Sequence, residues 1–214
     1  MPFYRIVVHA DGTGSFTTER TAAPAEGVAA AAGGAVIPQA APATDGVETA
    51  QAEAVAAPIV TAGAHGRSAI HVSEKTTARL FATAGVLRSG KECQSGNRHL
   101  AQTGKKVLTL TDGAGEKTCS FNYSDDKRIE DAVTAFGAIA TTLEERPTLE
   151  HLRRFDRLGL DAELGSFLES ARSGRAIELA NIAPLLEQLA TDDALMDRVR
   201  SRAATLLTMA QAGS

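Results

Sequence analysis

The chain predicts an α+β fold: a small antiparallel β-sheet with a packed helix, followed by an all-helical C-terminal region. Three stretches carry that prediction. Residues 105–123, KKVLTLTDGAGEKTCSFNY, spell two strands around an Asp-Gly turn. Residues 3–20, FYRIVVHADGTGSFTTER, repeat the same logic around a second Asp-Gly. Beyond Tyr123 the apolar residues recur at threes and fours to the end of the chain, the spacing of one buried face of a helix.

The 105–123 hairpin is the firmest local element. Asp112-Gly113 suits the positive φ angles of a tight turn, and Gly115 is a second permissive position. Val107 to Thr111 and Thr118 to Tyr123 are rich in β-branched and aromatic residues, which fit a pleated, half-buried surface. The turns DGTG (11–14) and DGAG (112–115) match at three of four positions. That agreement suggests a duplicated hairpin, although the same turn chemistry selects the same residues. With a further strand at Ser68 to Val72, a sheet of four or five strands results.

Residues 21–66 are different material. They hold 18 Ala, 6 Gly and 4 Pro, with no aromatic residue, Lys or Arg. So little large apolar surface cannot offset the entropy of ordering the backbone, and a disordered insertion is expected. A short helix at Val47 to Ala57 would fit the propensities there. The chain therefore divides into an N-terminal hairpin (1–20), the insertion (21–66), the rest of the sheet domain (67–123) and a helical region of about five helices (124–214).

Ser73 is a natural N-cap for a helix running to about Leu87, with Thr77, Leu80, Phe81, Ala84 and Leu87 on one face and Gly90 at its end. In the C-terminal region, Ser124-Asp125-Asp126 caps a helix whose inner face is Ile129, Val133, Phe136, Ile139, Ala140 and Leu143. Arg146-Pro147 should stop it, and Thr148 can cap a second helix bearing Leu149, Leu152 and Phe155. Gly159 should end that one. A third, with Leu160, Leu164, Phe167 and Leu168, runs to about Gly174. Pro184 belongs to the first turn of a fourth, and Thr191-Asp192-Asp193 caps a fifth. Short connections favour antiparallel neighbours.

With 214 residues, 43% of them hydrophobic but only 4% aromatic and none Trp, the chain can bury an aliphatic core without metal or disulfide staples. The net charge of -4 gives no reason to expect nucleic acid as a partner. The charge is uneven. Residues 1–66 carry 2 basic and 6 acidic groups, residues 67–123 carry 9 and 4, and residues 124–214 carry 11 and 16. A basic middle block set against an acidic helical region of the same molecule accounts for this, and an anionic partner for the middle block is the sharper alternative. No run of about 20 apolar residues exists, so no transmembrane helix is expected. The start, MPFYRIVV, enters a strand without the features of a signal peptide. At face value this places the chain in the cytoplasm, and in the cell envelope or outside the cell if the true start lies upstream.

No motif gathers chemistry at local spacing. The DGTG and DGAG turns lead from strand to strand, whereas a phosphate loop opens onto a helix N-terminus. The calcium-loop pattern is missing around Asp112. The acidic pairs Glu144-Glu145 and Asp192-Asp193 are expected to mark helix ends. Cys93 and Cys119 are too far apart in sequence for a paired-thiol motif, which leaves buried hydrophobes or a disulfide. The polar loop 91–104 and its flanks collect Arg88, Lys91, Asn97, Arg98, His99, Lys105 and Lys106, the candidate binding residues for an anion or a protein. No metal site and no cofactor are expected. The alternative is an enzyme or metal protein assembled in space from His9, His71, His99, Cys93 and Cys119.

The order of elements, IHVSEKTTARLFATAGV as strand into helix and VLTLTDGAGEKTCSFNY as a hairpin feeding a helix, resembles small bacterial domains of unknown function found in secreted and lipoprotein chains. The resemblance covers residues 3–20 and 67–145. It implies a small antiparallel sheet with helices on one face and a cell-envelope setting, and it implies no active residues. The expected function is therefore that of a non-catalytic binding or structural module, with an unknown protein or anionic partner. Homo-oligomerisation through the Leu-rich faces of the helical region is a further expectation.

Overall fold

The computed structural model describes residues 3–19, 53–56, 67–89, 93 and 105–213. Its fold is α+β. Six strands form one antiparallel sheet: β1 (Phe3–Val8), β2 (Thr13–Glu19), β3 (Glu53–Ala56), β4 (Arg67–His71), β5 (Lys106–Asp112) and β6 (Gly115–Phe121), in the order β4-β2-β1-β3-β5-β6. The two hairpins form as their sequences predict, with Ile6 opposite Phe16 and Leu108 opposite Cys119.

Their turns are not copies of each other. Gly12 takes φ +82° in the first, whereas Gly115, the counterpart of Gly14 and not of Gly12, takes φ +108° in the second. The expected positive φ at Asp112-Gly113 therefore falls two residues later. What the turns share is a carboxylate holding the chain two residues on: Asp11 accepts from the Thr13 amide and Asp112 from the Ala114 amide, both at 2.9 Å.

β3 corrects the expectation for its part of the insertion. Glu53–Ala56 is a strand, not a helix, and it lies between β1 and β5, where it joins the two hairpins into one sheet. Four residues rich in Ala carry little strand preference of their own; the open edges of β1 and β5 specify the strand by offering it two ladders. The sheet thus has six strands, not four or five. The remainder of 21–66 lies outside the described residues.

Strand alternation puts Ile6, Val8, Phe16, Ile70, Leu108, Leu110 and Phe121 on one face of the sheet, all buried. Against it pack α1 (Glu74–Phe81), α2 (Ala84–Arg88) and the first half of α3 (Lys127–Phe155). Ser73 caps α1 as expected, accepting from the Thr76 amide. The helix foreseen to Leu87 is two short pieces, because the Thr83 hydroxyl donates to the Leu80 carbonyl at 2.7 Å inside the turn between them.

α3 is the main departure from expectation. It runs for 29 residues straight through Pro147, a length of about 43 Å. An interior proline lacks one donor and crowds the carbonyl four residues earlier, at a cost of ~3 kcal/mol. Burial on both flanks offsets it. Leu143 is sealed in the sheet's core, and Leu149, two residues past the proline, is wholly buried in a second core.

That second core is formed by α4 (Arg157–Arg172), α5 (Ala183–Thr191), α6 (Asp197–Ala212) and a 3-10 turn at Leu179–Ile182. The break before α4 is at Asp156, whose carboxylate caps the new helix by accepting from the Gly159 amide at 2.8 Å. Gly159 does not end a helix; it is the residue small enough for that carboxylate to approach, since a Cβ there would strike it. α6 starts later than the Thr191-Asp192-Asp193 cap implies, because Asp192 spends one oxygen on the Ala194 amide within the loop. Asp161, 7% exposed, ties α4 to α6 by accepting from Arg198 at 3.0 Å and Arg202 at 2.6 Å.

Residues 177–181 join this helical part to the sheet. Ile177 bonds α3 twice, donating to the Ala138 carbonyl and accepting from the Thr142 hydroxyl. Glu178 accepts from the amide and hydroxyl of Ser73, and Asn181 bonds the backbone of His71. Among the described residues, no helix is long and apolar enough to cross a membrane.

Candidate functional site

The stretch 146–154 of α3 places Arg146, Glu150, Arg153 and Arg154 at intervals of four, three and one, so they share a face over two helical turns. Opposite them lie Asn181, Ile182, Pro184, Leu185 and Gln188, from the 3-10 turn and the start of α5. The two sides enclose a cleft of about 200 Å³. That is below the usual size of a metabolite pocket and suits one or two inserted side chains.

Two of the three arginines are neutralised in place. Arg146 donates to Glu150 at 3.0 Å. Arg153 donates to Asp192 at 2.9 Å and to Gln188 at 2.9 Å, pinning α3 to the C-terminal end of α5. The Ala194 amide and then Arg153 hold the Asp192 carboxyl below its ordinary range. Arg154 is exposed and has no ion pair among the described residues. On the opposite wall, the start of α5 has no side-chain cap from Ile182 and no acidic residue in its first turn.

The large apolar side chains left exposed in the described residues are Phe155 at 75%, Leu158 at 77% and Met196 at 39%. Phe155 and Leu158 flank the α3–α4 break. The His151 ring lies 4.9 Å from that of Phe155. Arg157 donates to the Ala194 carbonyl at 3.0 Å, tying the start of α4 to the loop before α6.

The site foreseen around 91–104 is only partly described. Arg88 is committed to Asp112 at 2.7 Å, Lys106 donates to the Asn122 carbonyl at 2.9 Å, and Lys105 is exposed. Lys91, Asn97, Arg98 and His99 lie outside the described residues.

Cys93 and Cys119 sit at disulfide distance, with Cα atoms 6.1 Å apart. Cys119 is on the buried face of the sheet. His71 stands opposite Thr13, and the His9 amide bonds the Thr13 carbonyl across the first turn, so both histidines belong to the β4-β2-β1 side of the sheet, with β3 and β5 between them and β6. The sheet thus does not bring Cys119 together with His9 and His71, and no three metal-ligating side chains cluster among the described residues.

Glu144 and Glu145 do not mark a helix end, as their sequence context suggests. They lie deep within α3 because the helix continues through Pro147. Burial, then the charge of Glu163 on α4 and a hydrogen bond shared with it, raise the Glu145 carboxyl from 4.5 to about 7. Burial also raises Glu144, and burial followed by the nearby Glu144 charge raises Tyr4. One oxygen of each of Glu144 and Glu145 is sealed from solvent without a partner. Glu145 on α3 and Glu163 on α4 are thus carboxyl neighbours across two helices.

In the sequence, Arg153, Arg154 and Arg157 fall only on the side of their helix away from Leu149, Leu152 and Phe155. The signal available was their spacing from Arg146 and Glu150, but that spacing joins one helix only if Pro147 is crossed, and the opposite wall comes from residues 27 and more positions beyond Arg154. No protein family, curated protein or solved structure matches the chain.

Proposed function

We propose that the protein is a non-catalytic binding module whose partner presents an anionic group to the cleft formed by Arg146, Arg153 and Arg154. One observation carries the reading. Among the described residues Arg154 stands without a counter-ion, in a cleft whose other two arginines are already paired. The cleft volume favours a side-chain carboxylate over a metabolite. Arginine stays charged at any working pH and cannot relay protons, which supports recognition over acid-base chemistry.

A fluorescein-labelled hexaglutamate peptide titrated by polarisation tests this. Binding is expected at low salt, weakening as salt screens it, and Arg154→Glu should abolish it. Equal binding by the variant would defeat the proposal.

A further inference from the structure

We infer that Glu150 is a built-in competitor for the anion site: its carboxylate occupies Arg146, so that Arg154 alone among the cleft's arginines is open to a partner. This rests on the reading of the cleft as an anion site and adds what sets its strength and its charge preference.

The two paired arginines of the cleft are held very differently. Arg153 donates to Asp192 through Nε and Nη2 and to Gln188 through Nη1, which binds α3 to the C-terminal end of α5. Freeing it would loosen the packing of two elements. Arg146 instead donates through Nε to Glu150, four residues on in the same helix, at 3.0 Å. The side chains of that pair are 55% and 42% exposed, against 32% and 24% for Arg153 and Asp192. Water competes for both charges of so exposed a pair, and it is weak. Its order is also the less favourable one, since a helix prefers the acidic member of an i,i+4 pair first. The pair thus does little for α3, and both of its members line the cleft.

The consequence is an exchange. An anion that reaches Arg146 must take the place of the Glu150 carboxylate, and replacing one carboxylate by another on the same guanidinium gains almost nothing. Arg146 strengthens binding only when Glu150 is removed or turned away. The charges of the cleft agree with this. Three guanidinium groups are set against the carboxylates of Glu150 and Asp192, which leaves one positive charge for the partner. That balance suits a single carboxylate better than a doubly charged group.

The test is a double-mutant cycle on the full chain, read as polarisation of labelled hexaglutamate. Glu150→Gln keeps the size of the side chain and removes its charge. It should tighten binding about tenfold, the effect of one newly available charge-assisted hydrogen bond. In an Arg146→Gln background the same change should tighten binding about twofold or less, the share that comes from removing a nearby negative charge.

No gain on Glu150→Gln overturns this inference and leaves the anion site standing. A gain of equal size in both backgrounds also overturns it, because Glu150 then acts through its charge and not by occupying Arg146. Binding of hexaglutamate by neither the parent nor Glu150→Gln overturns the anion site, and the inference with it.

Discussion

The Asn181 carboxamide closes a two-bond ring on the backbone of His71, accepting from its amide and donating to its carbonyl, both at 2.8 Å. His71 ends β4, the outermost described strand on its side of the sheet, so one side chain from the helical part stands in for the next strand at that position. Edge strands expose unpaired donors and acceptors, and proteins commonly blunt them. Asn181→Ala should cost about 1–3 kcal/mol, since it leaves two backbone groups unmatched. Urea unfolding measures it. A change below about 0.5 kcal/mol, the ordinary range of a surface substitution, would mean that water replaces the amide without penalty.

Glu178 is the sole described residue other than glycine with a left-handed backbone, at φ 58°. A side chain there is strained by about 1 kcal/mol, which glycine would relieve. Yet its carboxylate accepts from Ser73 at 2.9 Å (amide) and 2.7 Å (hydroxyl), at the N-terminus of α1. Hydrogen bonds to a charged group contribute ~1.5–3 kcal/mol each, so the bonds outweigh the strain. Glu178→Gly should therefore destabilise the protein, by about 1–3 kcal/mol in chemical denaturation. A more stable glycine variant would show that the strain outweighs the bonds.

The Glu145 carboxyl, lifted to about 7, makes stability depend on pH in a definite direction. The folded state holds this proton more tightly than the unfolded state does. The contribution is therefore complete below about 4.5 and is lost as pH rises through about 7. Its partial exposure to solvent screens the effect, leaving about 1–2 kcal/mol. Glu145→Gln keeps the shape without the charge. It should match the parent at acid pH and exceed it in stability above neutrality, as read from unfolding midpoints at the two extremes. Parallel pH profiles for parent and variant would remove the carboxyl pair from the account.

Cys93 and Cys119 are separated by 26 residues. A covalent link across that span restricts the unfolded chain by about 3.5 kcal/mol in the loop-closure treatment. A thiol count under denaturing, unreduced conditions should find none free. Reduction or a double serine variant should lower stability by roughly 3 kcal/mol. Two titratable thiols would exclude the link in the protein as prepared.

Local chemistry made the hairpins, the Ser73 cap and the apolar face of α3 legible in the sequence, because alternation, capping oxygens and 3.6-residue spacing act within a few positions. β3 was hidden because Glu53–Ala56 is a strand only by virtue of β1 and β5, which lie far away in sequence. Pro147 misled because a proline's local cost is visible in sequence, while the two cores that offset it are not. The same blindness concealed the cleft: Arg146 and Arg153 read as belonging to separate helices until one helix carries both. Asn181 and Glu178 showed no signal at all, since each acts on backbone more than a hundred positions earlier.

Because α3 is common property of both cores, the described residues offer no clean division between sheet and helical part. A recombination event or an engineered split at the end of the hairpins would strip the sheet of Ile129, Phe136 and Ile139, and a split at Pro147 would leave each half with a frayed stump of helix. The same rod links Phe155 at its far end to the sheet core, which it meets at Leu143 about 18 Å back along the helix at about 1.5 Å per residue. A load applied at that end would pass into both cores through a single helix.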